Sequence, residues 1–323
     1  LENVDKCPAA EEEVRRWKGE AYFLRAWYHF LVFRAYGAIP IVDHAFDINE
    51  NILSVRRSTA DAVAQFIADD CDRAAEYLYD TDKWPSTDTG RATRLSAKGL
   101  KSRVLLYIAS PLYNGDELFA ELKDPVDGTS LISQTYDKEK WKAAADAALD
   151  CISFARQSGR ELYNETPDDP VVNYQNIFND NWNDEILWAK NIGTYDHWLN
   201  CSDPVSFGCF SILDPTQEMV DAYEMEDGST PITGYTNDGL VPVINKESGY
   251  VESGFAEDEF EGRWQKGVSN MYTHREPRFY ASINFAGAIW KTTRESNWTK
   301  PHVNEFWFRG IDGKNNAGSD YCK

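Results

Sequence analysis

The chain has 323 residues, enough for one large core or two smaller ones, and sets 33 Lys and Arg against 53 Asp and Glu for a formal net charge of −20. Such an acidic surface is repelled by phosphate backbones and anionic lipids, which argues against nucleic acid or a charged membrane as partner and leaves neutral ligands compatible. No window approaches the roughly 20 apolar residues of a membrane helix.

In chain order, residues 1–9 read as a loose lead into a long helix from Glu11 to Tyr36. Trp17, Ala21, Leu24, Tyr28 and Leu31 form one helical stripe, and Phe23, Trp27, Phe30 and Phe33 lie beside it. Only Lys18, Arg25 and His29 make a narrow polar strip, so the pattern predicts a central helix contacted by protein on most sides. Gly37 supplies its cap, and Pro40 forces Ile39 into extended geometry. Ser58 and Asp61 have capping-box spacing for a second helix, whose apolar face runs through Val63, Ile67, Cys71, Ala74 and Leu78. Residues 80–94 are polar and turn-rich, with Trp84-Pro85 inside them. A third helix is expected from Ser96 to Pro111, and a fourth is capped by Asp137, with Trp141, Ala144, Ala145, Ala148 and Ile152 on one face before Gly159. Trp followed by a small residue at a helix contact, at Trp17 and Ala21 and again at Trp141 and Ala145, resembles degenerate tetratricopeptide repeats.

From residue 160 Gly, Pro, Asn and Asp multiply and regular elements shorten. Glu185–Lys190 reads as a short buried strand, Pro215 opens a short helix over Thr216 to Tyr223, and Tyr280 to Phe285 reads as another strand. The rest, including 226–271, reads as loop. The expected fold is therefore mostly α: a tetratricopeptide-like helix-pair scaffold over 1–159, packed as one unit with a loop-rich ligand-binding part over 160–323 that contains short strands.

No Gly-rich phosphate loop, G-x-S-x-G elbow or H-E-x-x-H is present, and the five histidines match no metal-ligand spacing. Catalytic residues and cofactors are accordingly expected to be none. Two acidic clusters, 179–185 and 257–261, invite calcium, but neither has the alternation and Gly of an EF-hand loop, and solvated turns explain them more simply. Of six cysteines, Cys71 and Cys151 fall on apolar helix faces, and Cys201 and Cys209 share a loop where an oxidising compartment would let them close a small ring.

The aromatic content, 11 Trp, 17 Tyr and 16 Phe, exceeds what the predicted core uses. Trp84, Phe207, Trp264 and Trp290 lie in polar loops without apolar periodicity. The loop from Asn191 to Asp203 combines Tyr195 and Trp198 with His197 and Asn200, a π-face with polar edges that suits a sugar ring. These eight residues are the candidate ligand contacts. The same composition also suits a loop that uses Trp198 to anchor itself on the scaffold.

Four segments carry a family resemblance: Arg25-Ala-Trp-Tyr-His-Phe30 with its Arg34-Ala-Tyr-Gly-Ala-Ile-Pro40 exit, Gly90-Arg-Ala-Thr-Arg94 through Asn114, Pro215-Thr-Gln-Glu-Met219 through Gly228, and Arg275-Glu-Pro-Arg-Phe-Tyr280 through Ile283. Together, in this order, they resemble the SusD/RagB family of bacterial nutrient-binding lipoproteins. The resemblance implies a helix-pair scaffold and a non-enzymatic protein, lipid-anchored on the extracellular face of the outer membrane. It further implies delivery of oligosaccharide to a SusC-like TonB-dependent transporter. Members are longer, and this chain, beginning at Leu1 without an initiator Met, reads as part of a longer protein. The family's ligand contacts come from variable loops, so no contact residue transfers by motif. Two other readings are a peptide-binding scaffold, within this family or of tetratricopeptide type, and a glycoside hydrolase.

Overall fold

A computed structural model of the chain describes residues 1–80, 88–190, 200–260, 262–290 and 302–313, the side chains of Leu53 and Trp290 excepted. The fold is mostly helical, with a few short strands, and its contacts divide into two compact units. The first unit comprises Leu1–Leu162 and Trp182–Asn191; the second comprises the described residues of Tyr163–Asn181 and Ile192–Lys323.

Four helices build the first unit: α1 (Glu11–Tyr36), α2 (Ala60–Tyr77), α3 (Arg94–Ala109) and α4 (Lys138–Gln157). Consecutive helices pack pairwise, as the tetratricopeptide-like reading expects. α1 has the predicted bounds, and Gly37 ends it with φ of +65°. The Arg57 Nε donates to the Ala38 carbonyl just beyond, at 2.6 Å. Thr59, one residue later than predicted, caps α2 through the Ala62 N–H. α3 starts at Arg94 instead of Ser96, because Ser96 is the reciprocal member of a capping box whose N-cap is Thr93. Asp137 caps α4 as expected.

α1 turns Phe23, Ala26, Phe30 and Phe33 into a core shared with Val63, Ile67 and Leu78 of the α2 segment and Val104 and Ile108 of α3. Its other stripe stays in solvent: Leu24, Tyr28, Val32 and Tyr36 are exposed, so α1 is buried on one side and not on most sides. A second correction concerns α4, which buries Ala144 and Cys151 but leaves Trp141 exposed, because α4 packs on α3 through its small residues. A third is Glu185–Lys190, which forms no strand. It returns to the first unit, where the Trp188 ring meets Phe23 and Trp27 edge-on at 4.9 and 5.0 Å and its indole N–H donates to the Gly90 carbonyl at 3.0 Å.

The polar strip of α1 is structural. Arg25 forms a fork on Asp70, Nε to Oδ2 at 2.6 Å and Nη2 to Oδ1 at 2.8 Å, with Asp70 fully buried. That carboxylate raises the Arg25 pKa. His29 accepts the Val42 N–H on Nε2 at 3.1 Å, so Nδ1 carries the proton it gives to the Arg25 carbonyl at 2.8 Å. Arg91 forks on Glu20 with both bonds at 2.6 Å, and Arg94 donates to the Ala75 carbonyl at the end of α2 at 2.9 Å. Asn114 donates to the Asp137 carbonyl and accepts the Asp137 N–H, which sets the start of α4.

The second unit holds α5 (Pro170–Asn179), α6 (Gln217–Asp221), α7 (Pro277–Ser282) and two antiparallel pairs, β1 (Ile232–Thr236) with β2 (Val241–Ile244) and β3 (Ile289–Trp290) with β4 (His302–Val303). α6 falls inside the predicted short helix, whereas 280–282, expected as strand, ends a helix opened by Pro277. The hairpin of β1 and β2 falls in a stretch whose sequence predicts loop; Asn237, Asp238 and Gly239 turn it with φ of 53°, 54° and 85°. Arg275, 2% exposed, donates through Nη2 to the Val220 and Tyr223 carbonyls at 2.7 Å each and through Nη1 to the Met271 carbonyl at 3.1 Å. Its guanidinium lies over the Phe279 and Tyr250 rings. Glu276 and Glu224 exchange backbone and carboxylate bonds at 3.0 Å beside it.

Cys71 and Cys151 are buried as expected; Cys201 and Cys209 are also buried, with no disulfide between them. Removing Arg25 strands a buried carboxylate with Arg73 alone, so Arg25→Ala is expected to lower unfolding free energy by about 3 kcal/mol in urea titration. The double variant Arg25→Met with Asp70→Leu should recover most of that loss. Gly37→Ala places a Cβ 3.1 Å from the Tyr113 ring at positive φ and should cost about 1–2 kcal/mol in the same assay.

Candidate functional site

The second unit contains a cleft of about 570 Å³ between α5 and α7. Asp169 makes α5 possible where the sequence reading saw only loop. Its Oδ1 accepts the Val171 and Val172 N–H groups at 3.1 Å each, and Pro170 occupies the first helical position, where no N–H is needed. This Asp-Pro start is the signal that could have found the helix. One turn apart on α5, Tyr174 and Phe178 meet edge-on with centroids 6.0 Å apart, and Phe178 is 76% exposed. Gln175 and Asn179 stand on the same helix at the cleft.

The opposite wall is Tyr280, Ser282, Asn284 and Phe285. Phe285 of this wall stacks with Phe279 and Tyr272, and these two with each other, at centroid distances of 4.7 to 6.3 Å. The Tyr280 hydroxyl donates to the Tyr272 carbonyl and accepts the Arg275 N–H, both at 3.0 Å, and burial pushes its pKa up, so it stays a neutral phenol. Arg263 closes one end, its Nη2 donating to Asp169 Oδ1 at 2.6 Å, and Asp203 reaches in from the far side of the candidate loop. The cleft therefore offers aromatic faces flanked by amide, hydroxyl and guanidinium edges on short elements that are themselves hydrogen-bonded.

The predicted contact residues meet different fates. Trp84, Tyr195, His197 and Trp198 lie outside the described residues, as does the side chain of Trp290, whose backbone is in β3. Asn200 is half-buried; its carbonyl accepts the Phe210 N–H at 2.6 Å, and it does not line the cleft. Phe207 is half-buried with its ring edge-on to His302 at 5.1 Å, part of a buried group in which His302 Nε2 lies 2.8 Å from Asp312 Oδ2. Trp264 is a correction: it is 3% exposed and stacks at 5.5 Å behind Tyr280, so it backs the cleft wall and offers no face to a ligand. Its burial comes from Phe260, His274 and Tyr280, partners that local composition does not reveal. Sequence reasoning missed Tyr174, Phe178, Tyr280 and Arg263, which lie on elements it read as loop or strand.

Among the described residues no group of three or more His, Cys, Asp and Glu side chains is placed to hold a metal ion, and no helix is long and apolar enough to cross a membrane. In the first acidic cluster Asp180 accepts the Tyr163 hydroxyl and Asp184 pairs with Arg160, while Glu261 of the second lies outside the described residues.

Comparison with known proteins gives concordant results. Residues 1–106 match a SusD-like family described as starch-binding and associating with the outer membrane, and residues 168–321 match the SusD family. The solved structure named BT4246 is 26% identical with a TM-score of 0.73, covering 95% of this chain and 55% of its own. A SusD-like protein from Bacteroides fragilis NCTC 9343 is similar in fold, at 22% identity and a TM-score of 0.65 over 97% of this chain and 52% of its own. A SusD-like carbohydrate binding protein from the same organism, 17% identical with a TM-score of 0.57 over 87% of this chain and 42% of its own, also shares the fold. The chain thus spans about half the length of these solved structures. No curated protein sequence matches it. SusD-like proteins are carbohydrate-binding proteins of the cell surface, not enzymes. On the two family matches and the shared fold, this chain belongs to the SusD/RagB family.

Proposed function

We propose that the chain is the ligand-holding portion of a lipid-anchored outer-membrane protein that captures oligosaccharide at the cell surface without altering it and passes it to a SusC-like TonB-dependent transporter. The observation that carries this reading is the cleft between α5 and α7, where the exposed Phe178 and neighbouring Tyr174 stand across from Tyr280 with polar groups between them. Axial C–H faces of a sugar pack on such rings while its hydroxyls bond at the edges. A catalytic pair is not needed: Asp169 caps α5 and holds Arg263, and Asp203 is the carboxylate among the described residues that line the cleft. Trp198, five residues before Asp203 in the sequence, is a further stacking residue in this reading.

One or two stacked ring faces supply about −4 to −8 kcal/mol, a dissociation constant between millimolar and micromolar. Isothermal titration against an oligosaccharide panel, with a peptide panel as control, should give binding in that range for sugars. Phe178→Ala and Tyr174→Ala should each weaken binding by about tenfold, on the scale of one lost stacking contact, and Trp198→Ala should weaken it as well. Reducing ends should stay constant over hours of incubation. Binding of peptides in place of sugars, unchanged affinity in both aromatic variants, or steady release of reducing ends would each refute the proposal.

A further inference from the structure

The second unit holds another cleft, of about 410 Å³, walled chiefly by the segments 249–258 and 270–274. It shares no lining residue with the cleft between α5 and α7. Phe255 lines it and is 73% exposed, and Val251 beside it in the lining is exposed as well. The backbone that carries Phe255 is nevertheless held on both sides. The Ala256 N–H donates to the Val268 carbonyl at 2.8 Å, the Asn270 N–H to the Gly254 carbonyl at 3.1 Å, and the Asn270 side-chain amide to the Ser253 carbonyl at 3.0 Å. The ring therefore stands on an ordered support, which lowers the entropy lost when a ligand packs against it.

The polar part of the lining is rich in acceptors. Among the described residues no hydrogen bond or ion pair engages the Glu257 and Asp258 carboxylates. Asn270 uses its Nδ2 on Ser253, so its Oδ1 is the end that accepts from a ligand. His274 adds a half-exposed imidazole, with Nδ1 3.5 Å from Glu226 Oε1. Hydroxyl groups supply the donors that such acceptors match, and bonds to the carboxylates are charge-assisted, while the Phe255 ring packs on the C–H face of a sugar. The buried Trp264 touches a wall residue of each cleft, stacking on Tyr280 at 5.5 Å and meeting His274 edge-on at 5.7 Å, so one core ring supports both. Resting on the saccharide reading above, we infer that this cleft is a second saccharide-binding site, with Phe255 as its stacking face and Glu257, Asp258 and Asn270 as acceptors of ligand hydroxyls.

The test uses the whole chain with the first cleft disabled. Tyr174→Ala with Phe178→Ala should leave residual oligosaccharide affinity in isothermal titration, and adding Phe255→Ala should weaken that residue of binding by about tenfold. Thermal midpoints report the folding of each variant; Phe255→Ala should retain its midpoint because the ring is exposed, and Phe178→Ala by itself serves as background where the pair unfolds. Adding Glu257→Gln and Asp258→Asn to the same background should weaken residual binding about fivefold, the scale of lost charge assistance. Affinity lost with Phe255→Ala but unmoved by the α5 variants would refute the site between α5 and α7 and support this one. No residual binding in the first-cleft variant, or residual binding unmoved by Phe255→Ala, overturns the inference and leaves the α5–α7 reading standing. Residual binding confined to amine-bearing ligands overturns it too, and absence of saccharide binding by wild type overturns both readings.

Discussion

The second unit is organised by one buried guanidinium. It has few regular elements, and its core clusters around Phe279 and Met225 would remain separate without a cross-link. Arg275 provides it, binding carbonyls at 220, 223 and 271 and packing against the Tyr250 and Phe279 rings of the two clusters. Burial lowers its pKa, yet an arginine keeps its charge at any physiological pH, so three carbonyls find a permanent cation. Two of the four recognisable sequence segments, 215–228 and 275–283, thereby become one structural lock. The wall bearing Tyr280 begins two residues after it.

The helical unit uses the same device repeatedly. Arg25 grips buried Asp70, Arg91 grips Glu20, and Arg57 and Arg94 bind carbonyls where a helix ends. An acidic chain therefore commits many of its cations to internal fastening, and its outer surface is left more negative than composition alone requires. In the second unit Asp169 both caps α5 and holds Arg263 at the cleft. The recognisable residues of the family thus explain the frame, while the proposed ligand contacts lie on the short elements α5 and α7.

Much of the helical unit was legible in the sequence, because long apolar periodicities and explicit caps govern it. Gly37 marks a boundary by its positive φ, and Asp137 marks one by accepting the Glu139 N–H with its side chain. The misplaced start of α3 shows the limit of such reading: Ser96 is a capping residue, but as the third member of a box whose first is Thr93. Burial was harder, since Trp141 and Tyr28 sit on apolar stripes that face solvent when the neighbouring helices all lie on one side. The site was least legible. Trp264 looks exposed by composition and is buried by residues 10 and 16 positions further along, His274 and Tyr280, whereas Phe178 looks incidental and proves to be the most exposed aromatic of the cleft. Short helices such as α5 are set by one capping side chain and a proline, a signal too brief to stand out beside long-range packing.

The most direct measurement is a crystal structure of the chain with an oligosaccharide shown to bind by titration. The account predicts sugar rings between α5 and α7, with a face on Phe178 or Tyr174. Rings bound on the exposed face of α1, or anywhere in the second unit that leaves Tyr174, Phe178 and Tyr280 untouched, would contradict it.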